Sequence, residues 1–254
     1  MVIILDFTEI MEACRRSYRP FEAEVPVDRV PRSLVASIEN ARRSGRRPVI
    51  AEIKPASPTA GELRKVDDPA ALALEYAASG ACGVSVLTEH RFFKGSLRNL
   101  RLASAAPVPV LRKDFLFHAS QVKESYFYGA DSLLLISSFF DEDSLSGMVA
   151  ECRRYGIEPL VEVHDVDDIE RSAACGVKLY AINNRDRHTL KVDLSRTRTL
   201  AKHVNSIKVS ASGIETIGQL DEMLESCDAA LIGSALMRSG DPGSALRKLV
   251  YGDG

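Results

Sequence analysis

The sequence predicts a (β/α)8 TIM barrel preceded by an N-terminal helical extension, and three observations lead there. Eight short β-rich runs follow residue 48, and their starts advance by 34, 25, 23, 28, 19, 29 and 22 residues. Each interval holds the dozen or more residues that a crossover between parallel strands requires. The pieces between the runs carry helix start and stop signals. Eight such units in about 205 residues fit a closed barrel of ordinary size. A doubly wound open sheet, the alternative, announces itself with a glycine-rich first turn, whereas the turn after Lys54 reads PASPTAG.

Residues 1–48 form the extension, and residues 49–254 form a single catalytic barrel domain. The stretches IMEACRRSYR and RSLVASIENARRSG are helical in pattern and flank the proline-bearing segment Pro20–Pro31. Which end of the barrel they cover is left open by the pattern. The basic pairs Arg42-Arg43 and Arg46-Arg47 read as a solvated helix end. The strands are expected at Val49–Lys54, Gly83–Leu87, Val108–Lys113, Asp131–Ile136, Pro159–His164, Lys178–Asn183, Ile207–Ser212 and Ala229–Gly233. Between them, Asp67-Asp68-Pro69 opens a helix that Gly80 ends, Asp141 opens one that Gly156 ends, and Asp165 opens one that Gly176 ends. Acidic groups suit the positive end of a helix dipole, and glycine suits its left-handed cap.

Composition removes several function classes. The 254 residues carry 33 Lys plus Arg against 35 Asp plus Glu, a net charge of -2, so the basic excess of a nucleic-acid partner is missing. No apolar run approaches the roughly 20 residues that span a bilayer, so no membrane partner is expected. The start MVIILDFTEI has too short an apolar stretch and no basic region before it, which argues against a leader. The five cysteines (Cys14, Cys82, Cys152, Cys175, Cys227) lie far apart without a CxxC pair or a Cys/His cluster. Neither a zinc site nor a disulfide frame is expected, and a reduced, cytoplasmic protein is.

Barrel active sites sit at the C-terminal ends of the strands, and here those ends are unusually polar. Period-2 alternation puts Glu52 and Lys54 on one face and Ile53 on the other. The third strand ends at Lys113-Asp114, the sixth at Asn183, and the fifth carries Leu160, Glu162 and His164 on one face against Val161 and Val163 on the other. If Ile53, Val161 and Val163 meet the helices, Glu52, Lys54 and Glu162 point into the barrel mouth. Buried charges must be paired, and Glu52, Glu162, Lys54 and Lys113 can neutralise one another. An ionic layer sealing the barrel explains any one of them; four on three strands at one level, with an amide on a fourth, point to catalysis. After strands seven and eight come Ser212-Gly213 and Gly233-Ser234, small turns of the kind that bind phosphate with backbone N–H groups. A small phosphorylated substrate is therefore expected.

From about residue 48 to the end, the chain resembles indole-3-glycerol phosphate synthases. The resemblance rests on Ile50-Ala51-Glu52-Ile53-Lys54 with Ser57-Pro58, Leu87-Thr88-Glu89 with Phe93 and Gly95, and Leu111-Arg112-Lys113-Asp114-Phe115. It continues through Pro159–His164, Ile182–Asp186, Ser212-Gly213-Ile214 and Leu231–Ser234. It implies a barrel that closes the pyrrole ring of the phosphosugar 1-(2-carboxyphenylamino)-1-deoxyribulose 5-phosphate, with loss of CO2 and water and with neither metal nor organic cofactor. It also implies Lys113 as the acid at the carbonyl, Lys54 at the substrate carboxylate, and Glu162 as acid/base for the later steps. Glu52 would tune the lysines and Asn183 hold the developing hydroxyl. Ser57, Arg185, Ser212, Gly213, Gly233 and Ser234 would border the phosphate, and Pro58, Phe93 and Phe115 wall the aromatic ring. The oligomeric state, monomer or homodimer, stays open.

Three positions depart from the family's pattern. Ala211 stands where a glutamate is usual, Arg187 where an apolar residue is usual, and Pro55-Ala56 replaces a commonly basic pair. Slower turnover than in a typical member is expected. Among rival readings, a phosphoribosylanthranilate isomerase calls for a cysteine or similar base on the first strand, where Glu52 and Lys54 stand. A Schiff-base aldolase calls for a lysine near the sixth strand, which ends in Asn183. A binding barrel without catalysis has Ala211 alone in its favour, because a decayed site would be expected to shed its costly buried charges.

Overall fold

The computed structural model describes residues 6–252 and shows a closed barrel of eight parallel strands in sequential order. The apolar start 1–5, which bears on the leader expectation, lies outside the described residues. The strands are β1 (Val49–Ile53), β2 (Gly83–Leu87), β3 (Val110–Lys113), β4 (Ser132–Ile136), β5 (Glu158–Val163), β6 (Leu179–Asn183), β7 (Ile207–Ala211) and β8 (Ala229–Ile232). Closure comes from β1, which pairs with β2 through Ile50–Ile53 and with β8 through Val49–Ala51. Four expected runs reach one residue too far, because Lys54, His164, Ser212 and Gly233 already turn away at the mouth. β3 starts late because Pro109 has no N–H for the ladder.

Helices α3 (Pro69–Ala78), α4 (Leu97–Ala103), α5 (Ala119–Phe127), α6 (Glu142–Arg154), α7 (Val166–Ala174), α8 (Ser195–Leu200), α9 (Ile217–Leu224), α10 (Ser234–Arg238) and α11 (Pro242–Tyr251) surround the strands. The expected acidic caps form: Asp68, Asp141 and Asp165 each accept a backbone N–H from the first turn of α3, α6 and α7. α5 is capped by His118 with Gln121 reaching back, a pairing that the usual cap residues do not signal. Two apolar layers result. Ile53, Val161 and Val163 meet the helices, while Ile50, Leu111, Leu134, Leu160, Leu179, Val209 and Leu231 fill the barrel.

The extension reaches both ends of the barrel. Its second helix, α2 (Leu34–Arg43), plugs the N-terminal end of the strands, and its buried Leu34, Ile38 and Ala41 join the interior layer. Glu158 at the start of β5 caps α2, accepting from Leu34 N at 2.7 Å and Val35 N at 3.0 Å. Of the basic pairs at and after the end of α2, Arg42 pairs with Asp228 and Arg47 with Asp221, both near the surface. The connecting segment is pinned by the buried Asp131, which takes Arg29 Nη1 at 2.6 Å and Arg32 N at 3.0 Å. The first helix, α1 (Phe7–Ser17), lies at the opposite end. Phe7 donates its N–H to Arg187 O at 3.1 Å and sets its ring edge-on to Phe115, 6.1 Å between centroids. α1 thus becomes part of the mouth.

Candidate active site

Glu52 is the centre of the charged ring. It points inward from β1 and is 1% exposed, with Lys54 Nζ 2.9 Å from one carboxylate oxygen and Lys113 Nζ 3.5 Å from the other. Burial alone would raise its carboxyl, but the two ammonium groups outweigh that and hold it down to about 2. The carboxylate is therefore charged at neutral pH and ties β1 to β3 at the mouth. Gly233 makes this possible, since a Cβ there would run into the Glu52 carboxylate. Absence of a side chain at Gly233 thus leaves room for the acid.

Glu162 faces the ring from β5. Burial pushes its carboxyl up, but the hydrogen bond from His164 and the nearby Lys113 and Asn183 leave it below its ordinary value. His164 Nε2 lies 3.0 Å from Glu162 Oε1. Asn183, at the end of β6, accepts from Arg185 N at 2.9 Å, and Arg185 Nη1 donates to Leu190 O at 2.7 Å. Burial lowers the Arg185 guanidinium's proton affinity, and no carboxylate among the described residues forms an ion pair with it.

The small-residue turn after β7 has a backbone that explains its composition. Ser212 (φ 73°) and Gly213 (φ 84°) are consecutive left-handed residues, a conformation that costs a serine energy unless its surroundings hold it. They do: the buried Asn184 donates to Ser212 O at 3.1 Å and to Ser210 Oγ at 3.1 Å, while its carbonyl accepts from Thr197 Oγ1 at 2.8 Å. After β8, Ser234 opens α10, whose C-terminal carbonyl Met237 O accepts from Arg64 Nε at 3.2 Å.

These groups surround one cavity of about 280 Å³. All fourteen residues singled out in the sequence line it: Glu52, Lys54, Ser57, Pro58, Phe93, Lys113, Phe115, Glu162, Asn183, Arg185, Ser212, Gly213, Gly233 and Ser234. Its apolar wall also contains residues that sequence reasoning missed, chiefly Phe7, Leu134, Ile136 and Leu190. Leu134 and Ile136 alternate on β4 as Glu52 and Lys54 do at the end of β1, so their inward face was readable; Phe7 had no strand-end address. Of the departures, Ala211 lines the cavity and is buried. Arg187 instead turns towards Asp168 and Asp165, 3.8 and 3.9 Å away, and its carbonyl holds α1. Pro55 O accepts from Leu63 N at 2.8 Å, closing a small hairpin of Ala56–Ser57 with Gly61–Glu62 over the mouth.

One cavity thus offers four carboxylates (Glu52, Asp114, Glu162 and Glu215), two ammonium groups, two guanidinium groups (Arg185 and Arg238), an aromatic slot and an anion-compatible turn. Comparison with known proteins agrees in kind. A family model described as indole-3-glycerol phosphate synthase matches residues 4–249. The chain is similar to the indole-3-glycerol phosphate synthase of Koribacter versatilis, 37% identical and covering 97% of each chain. It is likewise similar to that of Methanocaldococcus jannaschii, 37% identical over 90% of this chain and 87% of the relative. Against solved structures, the tryptophan synthase alpha chain of Legionella pneumophila superimposes with a TM-score of 0.61 at 14% identity, over 85% of this chain and 93% of that one. That last likeness is one of fold.

Proposed function

Because the chain belongs to the indole-3-glycerol phosphate synthase family, we propose that the charged ring around Glu52 performs the family's ring closure. The reaction converts 1-(2-carboxyphenylamino)-1-deoxyribulose 5-phosphate to indole-3-glycerol phosphate with loss of CO2 and water, in tryptophan biosynthesis, and makes the enzyme a carboxy-lyase. The observation that carries the assignment of roles is the pair of ammonium groups, 2.9 and 3.5 Å from one buried carboxylate, at the open end of the barrel.

The substrate's phosphate sits against the turns Ser212-Gly213 and Gly233-Ser234, with Ser57 and Arg185 at its border. Its aromatic ring lies between Pro58, Phe93 and Phe115. Lys54 meets the carboxylate on that ring, and Lys113 reaches the ribulose carbonyl. As the ring carbon bearing the carboxylate attacks, Lys113 gives the carbonyl oxygen a proton, and a tertiary hydroxyl forms near Asn183. Loss of CO2 returns the electron pair to the ring. The hydroxyl then takes a second proton and leaves as water, while the neighbouring CH2 gives up a proton and the five-membered ring becomes aromatic. Glu162, whose carboxyl is held below its ordinary value, is the base for that last proton. One proton is consumed overall, since a carboxylate leaves as neutral CO2. No step is routed through a metal or an organic cofactor.

We take the extension, residues 1–48, as a companion of the catalytic barrel 49–254 rather than a separate functional unit, because α1 and α2 line its two ends. The cytoplasm is the compartment we propose, on five free thiols, of which Cys82 and Cys227 are pushed up to about 12 by burial. No helix among the described residues is long and apolar enough to cross a membrane. Steady-state kinetics test the roles. Lys113→Ala is expected to lower kcat by about 10²–10⁴-fold, the scale of a positioned acid, whereas Ser234→Ala raises KM with little change in kcat. Near-normal kcat in Lys113→Ala removes that lysine from the acid role.

A further inference from the structure

We propose that His164 is a positioning residue for Glu162, its imidazole N–H holding the carboxylate at one angle in the mouth. The inference rests on Glu162 being the base of the dehydration and extends that reading by one residue. His164 does not line the cavity, so it acts only through its neighbour. Both side chains are 2% exposed, and the 3.0 Å contact between Nε2 and Glu162 Oε1 is the ring's one hydrogen bond among the described residues. Nδ1 is buried without a hydrogen-bond partner among the described residues. A buried imidazole nitrogen with no partner is a cost that an apolar side chain would avoid. The ring's single polar contact is aimed at a carboxylate, and in the neutral ring that contact places the proton on Nε2.

The main chain around it is clamped. His164 N donates to Asp168 Oδ2 at 3.0 Å, and His164 O accepts from Arg196 Nη2 at 2.8 Å. Asp168 is itself fixed by Arg171 Nη1 at 2.9 Å and faces Arg187 Nη1 at 3.8 Å. The charged groups around the pair are thus Asp165, Asp168 and Arg171 from the β5 loop and α7, Arg187 from the β6 loop, Arg196 from α8, and Lys113 from β3. Asn183 approaches Glu162 from β6. Among the described residues only Glu162 hydrogen-bonds the ring, so a clamped backbone delivers one N–H to one carboxylate oxygen.

The test is kcat and KM against pH for the full-length enzyme and its His164→Leu, His164→Asn and His164→Gln variants, with thermal unfolding alongside. Leu fills the space without a donor, and the Asn amide reaches only as far as Nδ1; the Gln amide reaches the place of Nε2. His164→Leu and His164→Asn are expected to lose roughly 10–100-fold in kcat, the scale of an outer-shell partner. Their acid limb moves to higher pH, because a carboxylate that loses a donor ionises less readily. KM stays within about threefold, and His164→Gln recovers most of kcat and the original limb. Wild-type kcat and acid limb in either donor-free variant overturn the inference, as does equal loss in the Gln and donor-free variants. Glu162→Gln separates the two claims. If it keeps wild-type kcat and limb, the base assignment itself falls; if it loses both while His164→Leu does not, only the role of His164 falls.

Discussion

Ala211 is the residue at which this chain differs most usefully from its family's pattern. It lies opposite Asn183 in the β6–β7 register and lines the cavity, where a glutamate would join Glu52 and Glu162 as a further carboxylate on the barrel strands. Among the described residues Arg185 has no acidic partner; of the other charges lining the cavity, Asp114 is taken by Arg112 and Glu215 by Arg238, which leaves Lys54, Lys113 and Arg185 facing Glu52 and Glu162. An excess of positive charge grips a doubly anionic substrate and its phosphorylated product alike. Ala211→Glu is accordingly expected to raise kcat by a few-fold and to raise KM, measured by steady-state turnover across pH. An unchanged kcat and pH profile in that variant would mean that the missing carboxylate is irrelevant to turnover here.

At the scale of elements, the extension divides its work between two helices. α2 seals the bottom of the barrel through Leu34, Ile38 and Ala41, with Glu158 holding its first turn. α1 carries Phe7 into the cavity. The two should therefore fail differently. Glu158→Ala is expected to cost about 1–3 kcal/mol of stability, because it orphans the N–H groups of α2's first turn, while kcat stays close to normal. Phe7→Ala is expected to raise KM roughly tenfold, from about 1.4 kcal/mol of lost apolar contact, with little change in Tm. Calorimetry and substrate titration of both variants check the contrast. The barrel itself was legible because strand spacing, period-2 alternation and acidic caps such as Asp68 and Asp165 are local signals. The charged ring was legible for the same reason, since strand-end residues of a barrel share an address. Phe7 and the Asn184–Ser210–Thr197 network were not, because each depends on contacts between separate stretches of chain; the His118 cap on α5 is local but was not legible because histidine is not among the usual cap residues. The end covered by the extension was also undecidable locally, as Asp131 and Glu158 fix it from the far side of the barrel.

For the whole molecule, the charged ring makes stability depend on pH in the acid range. Glu52 titrates ordinarily at 4.5 and is held at about 2 in the folded chain. A carboxyl lowered on folding contributes stability that is full above its unfolded value and is lost as pH falls through its folded value. Unfolding temperature is thus expected to drop between about pH 4.5 and 2 in the wild type. Glu52→Gln should start lower, with two lysines left facing an amide, and lose less across that window. A Glu52→Gln profile parallel to wild type would show that the ring contributes nothing to acid sensitivity. The most direct measurement remains chemical. The enzyme is mixed with 1-(2-carboxyphenylamino)-1-deoxyribulose 5-phosphate in a chelating buffer, and indole fluorescence is followed in wild type and Lys113→Ala. A chelator-insensitive rise that Lys113→Ala slows by at least about a hundredfold is the expected result. Substrate binding without any rise in the wild type would contradict it and leave a barrel that binds the phosphosugar but cannot close its ring.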